Sequence, residues 1–220
     1  MATPIDPNSL MFLLAESRSQ PMHVAGMQLF EPPADAGPDF AANIYEKALL
    51  ETEVAPLFKK RPYKSIKTAG QWTWTPDEQF DVEHHLRRSA LPSPGRVREL
   101  LELVGRLHGT TLDRERPLWE SHVIEGMTDG RMALYTKIHH SLVDGVAATR
   151  LMQSVLSTDP DKRDMPMPFA ANVPKRTRKV EEEAQRRLAD LPLSTARSAA
   201  SIAMDAAGLP AAFVRTLNKG

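Results

Sequence analysis

The sequence predicts a mixed α/β fold, an α+β sheet flanked by helices, and three observations lead to it. Apolar residues recur with a helical period between Val97 and Leu107. Two strand-like runs, "WESHVIEGM" and "RMALYTKIHH", face each other across "TDG", which is a hairpin signal. Elements of both kinds are mixed along the chain. The 220 residues contain no cysteine. That length suits one large domain, or one domain with a long tail. Such a chain buries about 70–75% of its unfolded surface and needs no disulfide staples.

The elements follow in order. Asp6-Pro7 before "NSLMFLLAES" is a capped helix start. "MHVAGMQLF" (Met22–Phe30) reads as a strand stopped by Pro32-Pro33. "PDFAANIYEKALLE" (Pro38–Glu51) opens on a proline and spaces Phe40, Ile44, Ala48 and Leu49 as one helix face. The basic run "KKRPYK" (Lys59–Lys64) reads as a solvated loop, and "QWTWT" and "FDVEHHL" as short strands around Pro76-Asp77. Val97, Leu100, Leu101, Val104 and Leu107 stripe a helix over Arg96–Gly109. The hairpin comes next. After Asp144-Gly145, the residues Ala148, Leu151, Met152, Val155 and Leu156 mark another amphipathic helix.

Composition shifts after Ser157. The stretch "STDPDKRDMPMPFAANVPKRTRK" holds four prolines and mixed charge, as a linker does. From Val180 the chain is Ala-rich and weakly periodic, broken at Pro192 and Pro210. The expected division is a compact domain over 1–157, a Pro-rich linker over 158–179 and an Ala-rich helical segment over 180–220. The 28 basic and 28 acidic residues balance, so bulk charge gives no reason to expect a nucleic-acid partner. The N-terminus lacks a basic region and its apolar run "LMFLLA" is too short for a signal peptide. No run approaches the roughly 20 apolar residues of a membrane span. A cytoplasmic protein is expected, with attachment to a lipid surface left open.

The stretch "YTKIHHSLVDGVAATRL" (Tyr135–Leu151) concentrates the chemistry. Side chains alternate across a strand, so His139 and His140 at its end point apart and have different tasks. One can reach a substrate while the other anchors the strand. Imidazole, with a reference pKa of about 6.5, takes and returns a proton near neutrality. Asp144-Gly145 suits a sharp turn into the following helix, with Asp144 as a cap or an arginine partner. An ordinary strand-to-helix turn with structural histidines fits the same residues. A metal site fits less well. His140 and Asp144 straddle the turn, a site wants three or four ligands, and His84-His85 lie on another expected strand. No metal is expected.

The run resembles the HHxxxDG motif of the wax ester synthase/diacylglycerol acyltransferase family, shared with other coenzyme A-dependent acyltransferases and with peptide-synthetase condensation domains. "PMHVAGMQLF" (Pro21–Phe30), "FDVEHHLRRSALPSPG" (Phe80–Gly95), "RERPLWESHVIEG" (Arg114–Gly126) and "LMQSVLSTDP" (Leu151–Pro160) are similar to blocks in that family's N-terminal half. The resemblance covers roughly Pro4 to Pro168. It implies a chloramphenicol acetyltransferase-like domain, one of two in the family. It implies that His140 is the general base of an O-acyltransferase. That enzyme moves a fatty acyl group from acyl-coenzyme A, a co-substrate and not a cofactor, to a long-chain alcohol or a diacylglycerol. It implies that His139, Asp144 and Gly145 support the motif, and that Pro117, Leu118 and Trp119 wall the acyl channel. For His84-His85 the resemblance implies no duty.

Family members are about twice as long, with the active site in a tunnel between two such domains. The expected partner is therefore the C-terminal half of the same protein or a second chain, with peripheral contact to a membrane or lipid inclusion. This chain is then a truncation, a cleavage product or one of two subunits. Two alternatives remain: a related acyltransferase with a polar or carrier-bound acceptor, and a lipid-surface binding module without turnover.

Overall fold

The computed structural model describes residues 2–50, 53–159 and 161–173, so the Ala-rich segment over 180–220 lies outside the described residues. The chain divides into two units. The first, residues 1–144 with 163–173, holds every strand among the described residues. The second, residues 145–162 with 174–220, contributes one described helix.

Helix α1 (Pro7–Ala15) starts where expected. Asp6 caps it by accepting from the Ser9 N–H at 3.0 Å, and Pro7 sits where no amide hydrogen is needed. Strand β1 (Thr3–Pro4) joins β4 (Trp72–Pro76) and β3 (Lys60–Lys64) in a three-stranded antiparallel sheet. The basic run 59–64 is thus largely a strand rather than a loop. Its cations find aromatic faces: Lys60 lies over Trp74 and Lys64 over Trp72 on the paired strand, and Arg61 over Tyr63 on its own.

The larger sheet has the order β2-β7-β6-β5. Strand β2 is His23–Phe30, β5 is Leu86–Ala90, β6 is Trp119–Glu125 and β7 is Met132–His139. Strands β6 and β7 form the expected antiparallel hairpin, and β5 runs parallel to β6. A parallel pair needs a crossover, which α4 (Val97–Gly109) supplies. Helix α2 (Phe40–Leu50) forms where expected and contacts β5 and β6. All eight residues of β7 are buried, so this central strand is covered on both faces. That is why its sequence does not alternate. The apolar face of α4 is rotated from the expected stripe. Leu100, Leu103, Val104 and Leu107 pack on Leu91, Ile124, Met127, Ala133 and Tyr135, while Val97 and Leu101 are 46% and 53% exposed. A spacing of i, i+3, i+4 and i+7 is kept, starting from Leu100.

The strand expected at "FDVEHHL" begins only at Leu86. Residues Val82–His85 form a one-turn helix (α3), because Asp81 accepts from the Glu83 N–H at 2.9 Å and offers the backbone a helical start. His84 and His85 therefore do not alternate across a sheet. His85 is buried between Phe80 and Trp119, with its Nδ1–H donating to the Trp119 carbonyl at 2.8 Å. The Pro-rich segment also contributes to the core. Phe169 stacks on Trp119, and Ala170 pairs with Val54 as a β-bridge. In the second unit, α5 (Gly145–Ser154) carries the expected helix after the Asp-Gly turn. Among the described residues no helix is long and apolar enough to cross a membrane.

Two buried histidines make stability depend on pH. Burial lowers His85 from 6.5 to about 4, against its bond to the Trp119 carbonyl. Burial likewise lowers His23 to about 4, against its bond to the His108 carbonyl. The unfolded chain binds these protons more readily, so their contribution is complete above pH 6.5 and is lost as pH falls toward 4. The melting temperature should fall across that window. In His85→Phe the fall should be shallower, because one of the two groups is gone. An unchanged slope in that variant would remove His85 from the account.

Candidate active site

Strand β7 stops because its last residues turn back on themselves. The Leu142 and Val143 amides donate to the His139 carbonyl at 2.9 and 3.3 Å. The His139 N–H donates to the Leu118 carbonyl at 3.0 Å, and the His140 N–H to the Met22 carbonyl at 2.9 Å. The two histidines are thus held by their backbones to β6 on one side and to the start of β2 on the other.

Their rings have different surroundings. His139 is 0% exposed. Its Nδ1 accepts from the Ser141 N–H at 3.0 Å and lies 2.6 Å from the Ser141 hydroxyl oxygen. Its Nε2 approaches the Glu16 carboxylate at 3.4 Å, an ion-pair distance without hydrogen-bond alignment. His140 is half-buried and stacks on Phe12, ring centroids 4.8 Å apart and planes 15° from parallel. Burial holds its imidazole below the ordinary histidine value. The neighbouring His139 acts the same way, and Asp144 opposes both. His140 thus presents a neutral, partly accessible imidazole at pH 7, while the His139 ring is enclosed in the turn.

The remaining motif residues separate. Asp144 and Gly145 are exposed. Pro117, Leu118 and Trp119 are buried. Trp119 lies between His85 and Phe169, meets Phe58 edge-on, and donates its indole N–H to the Phe58 carbonyl at 2.9 Å. Pro117 and Trp119 border a cavity of about 210 Å³ with His84, His85 and Arg116, and Leu118 is not on its wall. A second cavity of about 600 Å³ is lined by residues such as Pro32, Phe40 and Met127, and His140 borders neither. Among the described residues no group of three or more His, Cys, Asp or Glu comes together as metal ligands would.

Two groups around the motif escape a reading of the sequence. Glu16 and Arg114, paired at 2.9 Å, sit beside His139. Lys137 and Glu120, paired at 2.6 Å, occupy directly opposed positions on β7 and β6. A lysine in the otherwise apolar run "MALYTKIH" was the available signal for the second pair. No local pattern marks the first.

A family model described as the wax ester synthase/diacylglycerol acyltransferase catalytic domain matches residues 5–217. A Mycobacterium bovis protein provisionally named a diacylglycerol O-acyltransferase is 53% identical over 159 residues, covering 72% of this chain and 35% of that protein. The solved wax ester synthase/diacylglycerol acyltransferase from Marinobacter aquaeolei VT8 is 44% identical with a TM-score of 0.72, over 84% of this chain and 45% of that one. The first condensation domain of the calcium-dependent antibiotic synthetase shares the fold alone, at 17% identity and a TM-score of 0.53, over 70% of this chain and 36% of that one. The chain spans about a third of the length of the curated relatives it matches.

Proposed function

The chain belongs to the wax ester synthase/diacylglycerol acyltransferase catalytic-domain family, and from that premise we propose that it carries the base of an O-acyltransferase acting on acyl-coenzyme A. The acceptor is a long-chain alcohol or a diacylglycerol. One observation carries the reading. His140 directly follows a buried strand, with its backbone tied to Met22, its ring seated on Phe12 and its imidazole biased toward the neutral form.

In the reaction, His140 takes the proton from the acceptor hydroxyl as the oxygen bonds to the thioester carbonyl carbon. The carbon–sulfur bond breaks, and the imidazolium returns the proton to the leaving thiolate. The products are an ester and free coenzyme A. No acyl-enzyme is required, so the absence of cysteine is no obstacle. His139 supports the turn, and Asp144 biases the base electrostatically. Pro117, Leu118 and Trp119 contribute to an acyl channel through the core they stiffen. The channel is closed by the remainder of the protein or by a second chain, because a thioester must be kept from water. Met11 and Leu14, exposed on α1 next to Phe12, would meet a lipid surface carrying the acceptor.

The test is thiol release from palmitoyl-coenzyme A by the full-length protein, with hexadecanol and a diacylglycerol offered in turn. Acceptor-dependent release with ester formation is expected. Release only with polar amines or carrier-bound acceptors would replace this reading by the condensation-type one.

A further inference from the structure

One buried carboxylate contacts one motif histidine and the residue that holds the other. Glu16, whose side chain is 4% exposed, follows the last turn of α1. Its Oε1 accepts from the Met22 N–H at 3.2 Å and faces His139 Nε2. Its Oε2 accepts from Arg114 Nη2 at 2.9 Å and Nε at 3.3 Å. The carbonyl of the same Met22 accepts from the His140 N–H. Glu16 is therefore in contact with one histidine and one peptide unit from the other.

Arg114 extends the arrangement to the helix. Its Nη2 also donates to the Leu13 carbonyl at 2.7 Å, one of the acceptors left open at the end of α1. A cation there is favoured by the helix dipole. Phe12, one residue earlier, is the platform under the His140 ring. The position of α1 thus sets the plane of that ring.

The tautomer of His139 follows from the same contacts. The Ser141 amide can only donate, so His139 Nδ1 presents a lone pair to it. The proton of the neutral ring then sits on Nε2, toward Glu16.

We propose that Glu16 and Arg114 are positioning residues for acyl transfer, holding His139 as its Nε2–H tautomer and seating α1 so that Phe12 orients the ring of His140. The inference rests on His140 being the base. Burial acts to raise the Glu16 carboxyl, but His139, the Met22 amide and Arg114 outweigh it and hold it at about 2, so the anion persists across the working range.

The experiment combines kinetics with histidine nitrogen NMR on the full-length protein. The wild-type spectrum should show His139 as Nε2–H around neutral pH. In Glu16→Gln, kcat should fall by roughly 10²-fold, as for a misplacement of about 1 Å, with KM for both substrates within about twofold. Its spectrum should show His139 in mixed tautomers. Phe12→Leu should lower kcat and leave the His139 spectrum unchanged. Arg114→Lys, which keeps the charge but loses the fork, should fall between wild type and Glu16→Gln. An Nδ1–H signal for His139 in the wild type overturns the proposal without any variant needing to fold. So does a Glu16→Gln protein with wild-type kcat. If instead His140→Ala stays active, the base assignment fails, while the tautomer result is still read independently.

Discussion

Replacing His140 by alanine in the full-length protein is expected to lower ester formation by roughly 10²–10⁴-fold, the usual contribution of a general base, with little change in melting temperature. The second half of that statement comes from the packing. His140 is half-buried and its ring stacks on Phe12 at the surface of the turn, so truncation opens no enclosed cavity. His139→Ala should lower the melting temperature as well as the rate. Its ring is fully buried between Ser141 and Glu16, and its loss leaves the Glu16 carboxylate short of one partner. The pH profile supplies a second check. The base must be neutral, and burial with the nearby His139 holds His140 below 6.5, so kcat/KM should rise with pH through an acid limb below that value. Asp144 pulls the other way, so Asp144→Asn should move the limb to still lower pH. Equal rates for His140→Ala and wild type, or an acid limb well above pH 6.5, would contradict the assignment.

Glu120→Gln should cost about 3–5 kcal/mol, the range for a buried ion pair that loses one member. Lys137 is 0% exposed, and its ammonium is fully committed. It lies 2.6 Å from Glu120 Oε1 and donates to the Leu107 and Thr110 carbonyls at 2.7 and 2.9 Å. The carbonyls come from the C-terminal end of α4 and just beyond it, where the helix dipole favours a cation but does not neutralise one. Glutamine removes the negative charge that Glu120 places at that ammonium. Against a typical total of about 5–15 kcal/mol, such a loss is visible as a large drop in denaturation midpoint. Burial acts to raise the Glu120 carboxyl, but His122 and Lys137 outweigh it and hold it at about 2. Its folded value is depressed from 4.5, so its contribution is present above that pH and is lost as pH falls toward 2. Glu120→Leu combined with Lys137→Met should recover most of the loss, since an apolar pair leaves no stranded charge. If Glu120→Gln melts within a degree or two of wild type, the pair is not what secures α4 to the sheet.

Periodicity and turn chemistry are local properties, and they were sufficient for the elements they govern. The Asp6 cap, the span of α4, the β6–β7 hairpin and the turn after His140 all follow from residues within a few positions of one another. The resemblance carried by the His-His motif and the Pro-Leu-Trp block was legible for the same reason, because it lies in contiguous residues. Where a local signal was read wrongly, a competing local contact explains it. Asp81 turned His84-His85 into a helical turn, and paired Trp72 and Trp74 drew the basic run 60–64 into a sheet. What surrounds the base could not be read in that way. Arg114 meets Glu16 across 98 residues and Trp119 meets Phe58 across 61. Phe169 reaches Trp119 from a segment whose composition reads as linker. Such contacts depend on which side chains fill the space left when the sheet and helices close. That is decided by shape and by the need to pair each buried polar group, and neither requirement leaves a period in the sequence.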